Sequence, residues 1–448
     1  MTKTAFRNDF SRGLGSALIT LQSCADPTQF HDVILHGCLH NTTYDMQCEG
    51  DRGWYLHQAA KLSGNAASIV EAVCQKFSCV RKDRWLFDQL SSILYHFAVD
   101  GSECARNALY QQYDDMLHEL SRKRKFEQIY HRRDMFEHLC IWLTSLDGWG
   151  AFKQIVADVS HLLLSKNADF FFLDWFYCNA KSKFGEKRIA QYLQKQSDQS
   201  LHIRIYFETA KKWDNHFPIQ KERPIPTLDE ILALANQGRG RGSAMHFVRN
   251  ADAKDLEKLA QAAMNALDAD IQVELLWGFR RKSMYSFPEE FLLRLSQSAD
   301  ERLRCLAYDM IGQNPTPKTR KLARSLIQSG KDLENGINLL VKNLLPTDEP
   351  LLYDAVKSFR PRRNSGNWHG IYMDANDGIK AMRGKPKTNI LEYLYHNTLC
   401  GFCRESIVRT MHKKGVLSDK ILHECHFDAN LDIQKFAEQI GRYRNYTE

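Results

Sequence analysis

The feature that most restricts the fold of this chain is an amphipathic helical segment, SADERLRCLAYDMIG, that serves as the template for a repeat. Within it, Leu303, Ala307 and Ile311 fall on one face of a helix. Asp300 can cap the start of that helix, and Gly312 can end it. The apolar residues stand at offsets 0, 4 and 8, and a polar residue stands at offset 1. The pattern predicts a helix that packs along a single face.

Matching copies of this helix recur through the second half of the chain at almost constant spacing. Their first apolar residues are separated by 32, 34, 34, 32 and 30 positions. The other copies are Ile271, Leu275 and Phe279; Ile337, Val341 and Leu345; Ile371, Ala375 and Ile379; Cys403, Ile407 and Met411; and Ile433 and Ala437, with Gly441 in the third position. Spacing this regular is typical of repeat proteins.

A second amphipathic stretch lies between successive copies, for instance at residues 291–295 and 391–395, so each repeat contains two helices. A helix pair this small cannot bury its apolar stripe alone, and stacking on its neighbours completes the core. We therefore predict an all-α chain that forms an α-solenoid of antiparallel helix pairs. The alternative is an ordinary helical bundle, because apolar residues at offsets 0, 4 and 8 are common in any helix.

The pattern Asp-x-x-apolar-Arg-x-x-Ala-x-x-x-apolar-Gly at residues 300–312 resembles a HEAT repeat. The resemblance implies a HEAT-like superhelix. In such a solenoid one helix of every pair lines the concave side, where the residues at offset 1 would form a polar ridge. Those residues are Gln272, Arg304, Asn338, Tyr372, Arg404 and Gln434. A polar ridge of this kind can hydrogen-bond to a protein segment or to a nucleic-acid backbone.

The prolines divide the chain into two parts. Of the 11 prolines, only Pro27 precedes residue 217. We predict an N-terminal helical domain of diverged helix pairs at residues 1–217, a proline-containing connector at residues 218–227 and the repeat array at residues 228–448. The first part carries 26 basic and 25 acidic side chains and the second part 35 and 29, so most of the net charge of +7 belongs to the repeats.

The composition also bears on location and cofactors. No uncharged apolar run is long enough to span a membrane, so we expect no transmembrane helix. The 12 cysteines follow no regular spacing, which favours reduced thiols and a cytoplasmic location. The phosphate-loop, dinucleotide-binding and HExxH motifs are absent, and we expect no small-molecule cofactor.

Basic and aromatic residues occur together at several predicted repeat junctions. The clusters are Arg239 and Arg241 within GRGRGS, next to a helix N-terminus that Ser243 could cap; Trp277 with Arg280 and Arg281; and Arg362 and Arg363 with Trp368 and His369. Cations can track a phosphate backbone, and aromatic rings can stack on bases. The alternative is that the tryptophans belong to the core and the arginines are solvated.

One loop of the first half is dense with reactive side chains. Between two predicted helices lie His40, Asp45, Cys48, Glu49 and Arg52, which could supply a base, a nucleophile and an anion clamp. The alternative interpretation is structural: Asp45 shapes a turn, and Glu49 and Arg52 form a local ion pair at a helix start.

Cys400 and Cys403 have a CxxC spacing, and Cys425 and His426 follow at a distance known from zinc sites. Cys403, however, occupies an apolar position of the repeat template, and Cys400 stands at a cap position. We therefore predict no metal site.

Two functions remain. The first is a non-enzymatic scaffold whose concave, mildly basic face binds a partner protein or a nucleic acid. The second follows from the resemblance, since alkylpurine DNA glycosylases built from HEAT-like repeats use aromatic residues, an acid and arginines in a concave groove. Trp277, Arg280, Trp368 and Asp374 would supply these residue types here.

Overall fold

The structure is a computed structural model that describes residues 1–47, 49–50, 52–122, 126–165, 171–215, 224–280, 285–358 and 367–445. These residues form α-helices, short 3-10 segments and loops, and no strand occurs among them. The prediction of an all-α chain is confirmed. No helix in these ranges is both long enough and apolar enough to cross a membrane.

The helices divide into two compact units. The first unit contains residues 1–219, 399–405 and 418–448, and the second contains residues 220–398 and 406–417. The final segment of the chain thus belongs to the same unit as its beginning. The predicted domain boundaries, with a connector at residues 218–227, stay a prediction.

In the first unit, short helices precede longer ones. They are α1 (Lys3–Arg12), α2 (Gly15–Ser23), α3 (His31–Leu39), α4 (Gly53–Leu62), α5 (Ala66–Cys79), α6 (Arg84–Val99), α7 (Glu103–Ser121), α8 (Phe126–Ser165), α9 (Asp174–Phe184), α10 (Glu186–Ser197) and α11 (Leu201–Asn215). Helix α8 is interrupted at Gly148, whose φ of 64° lies in the left-handed region. Helices α6, α7 and α11 pack against α8 around a core that includes Phe136 and Phe152.

The second unit continues with shorter helices. They are α12 (Leu228–Ala235), α13 (Arg241–Asn250), α14 (Ala253–Asn265), α15 (Ala269–Leu276) with a 3-10 turn (Trp277–Arg280), α16 (Glu289–Leu295), α17 (Glu301–Ile311), α18 (Pro317–Ser329), α19 (Leu333–Lys342), α20 (Glu349–Ser358), α21 (Asn367–Ala381) and α22 (Ile390–Asn397). The last helices of the chain are α23 (Gly401–Lys413), α24 (Asp419–Cys425) and α25 (Leu431–Asn445).

The template helices are α15, α17, α19, α21, α23 and α25. In the second unit α14 packs on α15, α16 on α17 and α18 on α19, while α15, α17, α19 and α21 pack on one another in succession. Most template residues are buried, among them Leu303, Ala307, Ile337 and Ala375. Leu345 is an exception: it is 41% exposed, because α19 ends at Lys342 before the third apolar position is reached.

Aspartate side chains cap two of the template helices, α15 and α17, as the sequence predicts for Asp300. The Asp300 carboxylate accepts the backbone N–H groups of Arg302 and Leu303 at the start of α17. Asp268 does the same for the first turn of α15. Each cap satisfies N–H groups that have no partner within the helix.

The end of the chain packs closely on its beginning within the first unit. The backbone N–H of Ala429 donates to the carbonyl oxygen of Gly13 at 2.8 Å. A Cβ atom added to Gly15 would lie 1.9 Å from the carbonyl oxygen of Glu424. Only glycine permits this approach of α2 to α24.

Candidate binding cleft

A polar cleft of about 330 Å³ lies on the helix row of the second unit. Helices α17 and α19 form its walls, together with the 3-10 turn that follows α15. Its lining residues are Arg280, Tyr308, Asp309, Gly312, Gln313, Asn335, Asn338, Leu339 and Lys342. Its volume falls within the range of about 300–1,000 Å³ that is usual for ligand pockets.

An ion pair stands at one side of the cleft. Arg280 Nε lies 3.1 Å from Asp309 Oδ2, and both side chains are between a third and a half exposed. Burial raises the pKa of Asp309, although Arg280 and Lys342 both act to lower it. The two cations therefore do not fully offset the cost of burying the charge of the Asp309 carboxylate.

A second carboxylate lies further along the row, on α21. Burial raises the pKa of Asp374, Lys342 acts to lower it, and nearby Asp377 and Asp309 raise it further. The exposed Lys342 thus interacts electrostatically with both Asp309 and Asp374. Carboxyl groups with raised pKa values in a cleft are frequent at functional sites.

The amide of Asn338 has an unsatisfied oxygen. Its Oδ1 atom is buried and has no hydrogen-bond partner among the described residues. Asn338 is one of the six predicted ridge residues, and it lines the cleft. Leaving a buried acceptor unpaired costs about 1–3 kcal/mol, which a donor from a bound ligand would offset.

Trp277 lies beside the cleft and is covered by two cations. The guanidinium carbons of Arg241 and Arg280 lie 4.7 and 4.4 Å from its ring centroid. Arg241 is held in turn by Glu274, since its Nε lies 2.7 Å from Glu274 Oε1 and its backbone N–H donates to Glu274 Oε2 at 3.0 Å. The carboxylate of Glu274 therefore occupies the N-terminus of α13.

The sequence-based expectation that Ser243 caps α13 is wrong, because the helix begins at Arg241 and Gly240 is its N-cap residue.

Two further ridge residues of the second unit turn inward. Gln272 Nε2 donates to the carbonyl oxygen of Ala263 at 2.9 Å. Arg304 donates to the carbonyl oxygens of Ser298 and Ala299 at 3.0 Å, and its Nε lies 3.3 Å from Asp332. Gln272 thus holds a carbonyl of the last turn of α14, and Arg304 holds two loop carbonyls.

Aromatic residues of α21 are buried. Tyr372 is fully buried, so the expectation that it belongs to an exposed ridge is wrong; its ring contacts those of Trp368 and Tyr393. Trp368 is 2% exposed and stacks on His369. A tryptophan in this position fills the core and offers no free ring face. Arg281, Arg362 and Arg363 lie outside the described residues.

The last two ridge residues lie in the first unit, around one buried ion pair. Arg404 Nε and Nη2 lie 2.7 and 2.8 Å from the carboxylate oxygens of Asp428, and both side chains are fully buried. Gln434 Nε2 donates to the carbonyl oxygen of Asp428 at 2.6 Å. The expectation of an exposed ridge is therefore wrong for Arg404, which ties α23 to the loop before α25.

The reactive loop of the first half joins the same region of the first unit. Glu49 Oε2 accepts hydrogen bonds from Arg52 Nη2 at 2.8 Å and from the backbone N–H of Gly401 at 2.9 Å. Arg52 also donates to the carbonyl oxygen of Ser11 at 2.7 Å. The predicted ion pair between Glu49 and Arg52 is present, and both side chains are 3% exposed.

His40 and Asp45, the other loop residues that the structure describes, bond to nearby backbone groups. Asp45 Oδ1 accepts the backbone N–H of Gln47 at 3.0 Å, which is the turn that the structural interpretation predicts. His40 Nδ1 contacts the carbonyl oxygen of His36 at 3.0 Å, and the two rings stack. Cys48 lies outside the described residues. The catalytic interpretation of this loop stays a prediction.

Cys400 and Cys403 lie at the start of α23, and both are buried. A hydrogen bond from the Cys403 thiol, with further bonds from the backbone N–H groups of Cys403 and Phe402, lowers the pKa of Cys400. The same contact raises the pKa of Cys403. Cys425 and His426 do not complete a four-ligand group with these thiols in the described part of the chain.

The sequence analysis missed Asp309, Lys342 and Asn335 as cleft residues. One signal could have found the first two. Arg280, Asp309, Lys342 and Asp374 alternate in charge and are 29, 33 and 32 positions apart, close to the repeat length. Residues one repeat apart lie side by side when successive helices stack.

The fold and the cleft define a class: an all-α protein of paired helices with a mixed-charge polar cleft on one helix row. Comparison with known proteins adds no family to this class, since no protein-family model matches the chain. No curated protein matches it either. A crystal structure of an engineered protein aligns with 95% of this chain and 97% of its own length, at 12% sequence identity and a TM-score of 0.20. That score is too low to carry an argument about fold or function.

Proposed function

We propose that the protein is a HEAT-like α-solenoid scaffold and that the cleft on α17 and α19 binds a segment of a partner protein. The observation that carries the proposal is the buried Asn338 Oδ1, which has no hydrogen-bond partner among the described residues and belongs to a residue that lines the cleft. A bound peptide offers N–H donors at every residue except proline, and one such donor would satisfy this oxygen.

The charges around the cleft favour a protein segment over a phosphate backbone. Asp309 and Asp377 are close enough to Asp374 to raise its pKa, and the Arg280 charge is shared with Asp309. Carboxylates at these positions would repel phosphates, whereas a lysine or arginine of a partner would be attracted to them. The net positive charge of the repeats is therefore not concentrated on the described part of this cleft.

The solenoid part of the proposal is supported by the succession of α15, α17, α19 and α21 and by contacts that recur between repeats. Arg304 pairs with Asp332 at 3.3 Å, on the loop that leads to the next template helix, and Arg280 pairs with Asp309 on the next template helix itself. These two pairs each link one repeat to the following one, as stacking in a solenoid requires.

The test is binding of short peptides of random sequence, displayed on an array, to the purified full chain. We expect selected peptides to be rich in lysine and arginine, and we expect Asp374→Asn and Asn338→Leu each to weaken their binding by about tenfold, or about 1.4 kcal/mol. Lys435→Ala, an exposed change in the first unit, is the matched control.

Labelled single-stranded and duplex DNA and RNA are the competing probes. If they bind with the steep salt dependence of phosphate contacts while no peptide is selected, the ligand is a nucleic acid and the peptide proposal is wrong.

The glycosylase function is kept as the second candidate because Asp374 combines partial burial, a raised pKa and a position beside the cleft. Trp368 argues against it, since a fully packed ring cannot stack on an extruded base. Release of a methylated base from duplex DNA, abolished by Asp374→Asn, would establish this activity. A full chain that releases no base from several alkylated substrates would remove it.

A further inference from the structure

Two thiols meet on the surface of the first unit, between α5 and α7. Cys74 Sγ lies 3.5 Å from Cys104 Sγ, and it also contacts the carbonyl oxygen of Cys104 at 3.8 Å. Cys104 is exposed, and Cys74 is partly buried. A disulfide requires a sulfur separation of about 2 Å, so the two atoms need to approach by only about 1.5 Å.

The two cysteines stand in different surroundings. Cys104 is the second residue of α7, a helix of 19 residues whose start is capped by the Ser102 hydroxyl. The exposure of Cys104 leaves its sulfur open to a small solute. Cys74 lies in the middle of α5, where burial and the hydrogen bond to Cys104 raise its pKa to about 12. Cys74 therefore stays a protonated thiol beside a more accessible neighbour.

We propose that Cys74 and Cys104 form a peroxide-reactive thiol pair, in which Cys104 is the attacking sulfur and Cys74 resolves the product to a disulfide. The oxidant is hydrogen peroxide, which the exposed Cys104 can meet directly. This site is independent of the cleft and of the function proposed for it.

The reaction balances in two steps. The Cys104 thiolate attacks one peroxide oxygen, the O–O bond breaks, and the departing hydroxide takes up a proton to leave as water; Cys104 becomes a sulfenic acid. Cys74 Sγ then attacks the Cys104 sulfur as its thiol proton is lost, the S–O bond breaks, and a second water leaves. The two sulfurs lose two electrons, and the peroxide gains them.

The disulfide would join α5 to α7 and close a loop that contains α6. A cross-link of this kind stabilises a protein mainly by restricting its unfolded chain. We therefore expect the oxidised protein to unfold at a higher temperature than the reduced protein, with the difference removed by a reductant.

The test treats the full chain with hydrogen peroxide and maps the cysteines by mass spectrometry after alkylation with iodoacetamide. The expected product has lost two hydrogen atoms and contains a peptide pair linked through Cys74 and Cys104. Cys79 and Cys178, exposed cysteines of the same unit, serve as internal controls and should stay available to the alkylating reagent.

Two variants assign the roles. In Cys74→Ser, the sulfenic acid has no resolving thiol, so dimedone should label Cys104. In Cys104→Ser, Cys74 should remain a reduced thiol. The proposal is overturned if the native chain keeps both cysteines alkylatable after peroxide treatment, or if dimedone labels Cys74 in preference to Cys104.

Discussion

Glu49 Oε2 lies 2.9 Å from the backbone nitrogen of Gly401, although 352 positions separate the two residues. The same oxygen accepts a hydrogen bond from Arg52, and the carboxylate is almost completely buried. One side chain thus fixes the loop before α4 and satisfies the first N–H of α23. Such a carboxylate holds two segments of the first unit together.

We predict that Glu49→Ala lowers the free energy of unfolding by about 3–5 kcal/mol, because it leaves the buried Arg52 charge without its carboxylate. Urea unfolding followed by circular dichroism measures the change. Glu71→Ala, at an exposed position of α5, should change stability by less than about 0.5 kcal/mol. Equal effects of the two substitutions would contradict the structural role of Glu49.

Arg404 and Asp428 should show strong coupling in a double-mutant cycle, because both are fully buried and each is the other's charge partner. Arg404→Met alone should cost about 3–5 kcal/mol, since Asp428 is then a buried unpaired charge. Adding Asp428→Asn should recover part of that loss, because the neutral amide still accepts the backbone N–H of Asn430. If the two substitutions have additive effects on the free energy of unfolding measured in denaturant, the pair does not act as a unit.

His96 should make the protein sensitive to acid. Burial, together with the nearby His57, lowers its pKa from 6.5 to about 4. Between these two values the unfolded chain binds a proton that the folded chain does not, so stability falls as pH falls through this window. His96→Gln should reduce the fall in the free energy of unfolding between neutral and acidic pH by about 1–3 kcal/mol. Urea midpoints measured across that range provide the test, and an unchanged slope would contradict it.

Asn338→Leu should separate stability from binding. Removing an unsatisfied buried oxygen should leave the stability of the free protein unchanged or raise it by about 1 kcal/mol, while peptide binding at the cleft weakens. Thermal unfolding and the peptide array measure the two quantities on the same preparation. A large loss of stability would mean that Asn338 is already satisfied in the folded protein.

The buried positions of the repeat helices were predictable, because burial follows from periodicity alone. Leu303, Ala307, Ile337 and Ala375 share one phase of the helix, and that phase faces the core. Helix ends were less predictable, as Leu345 shows, since the template continues past the residue at which α19 stops. The arrangement of the pairs as a solenoid stays a prediction.

The direction of polar side chains could not be predicted. Gln272 and Arg404 look like surface residues in sequence. In the folded chain Gln272 bonds to a carbonyl of the preceding helix α14, and Arg404 bonds to Asp428 in the loop before α25. The contact between Glu49 and Gly401 depends on the path of the whole first unit. Periodicity contains no information about such partners, because it describes one helix at a time.

The narrow approach of Gly15 to Glu424 has a consequence for the order of events during synthesis. Translation proceeds at about 5–20 residues per second, so Gly15 leaves the ribosome about 20–80 s before its packing partner exists. For that interval the side of α2 that packs against α24 is uncovered. The nascent chain must therefore avoid misassembly at this side of α2 until α24 has been translated.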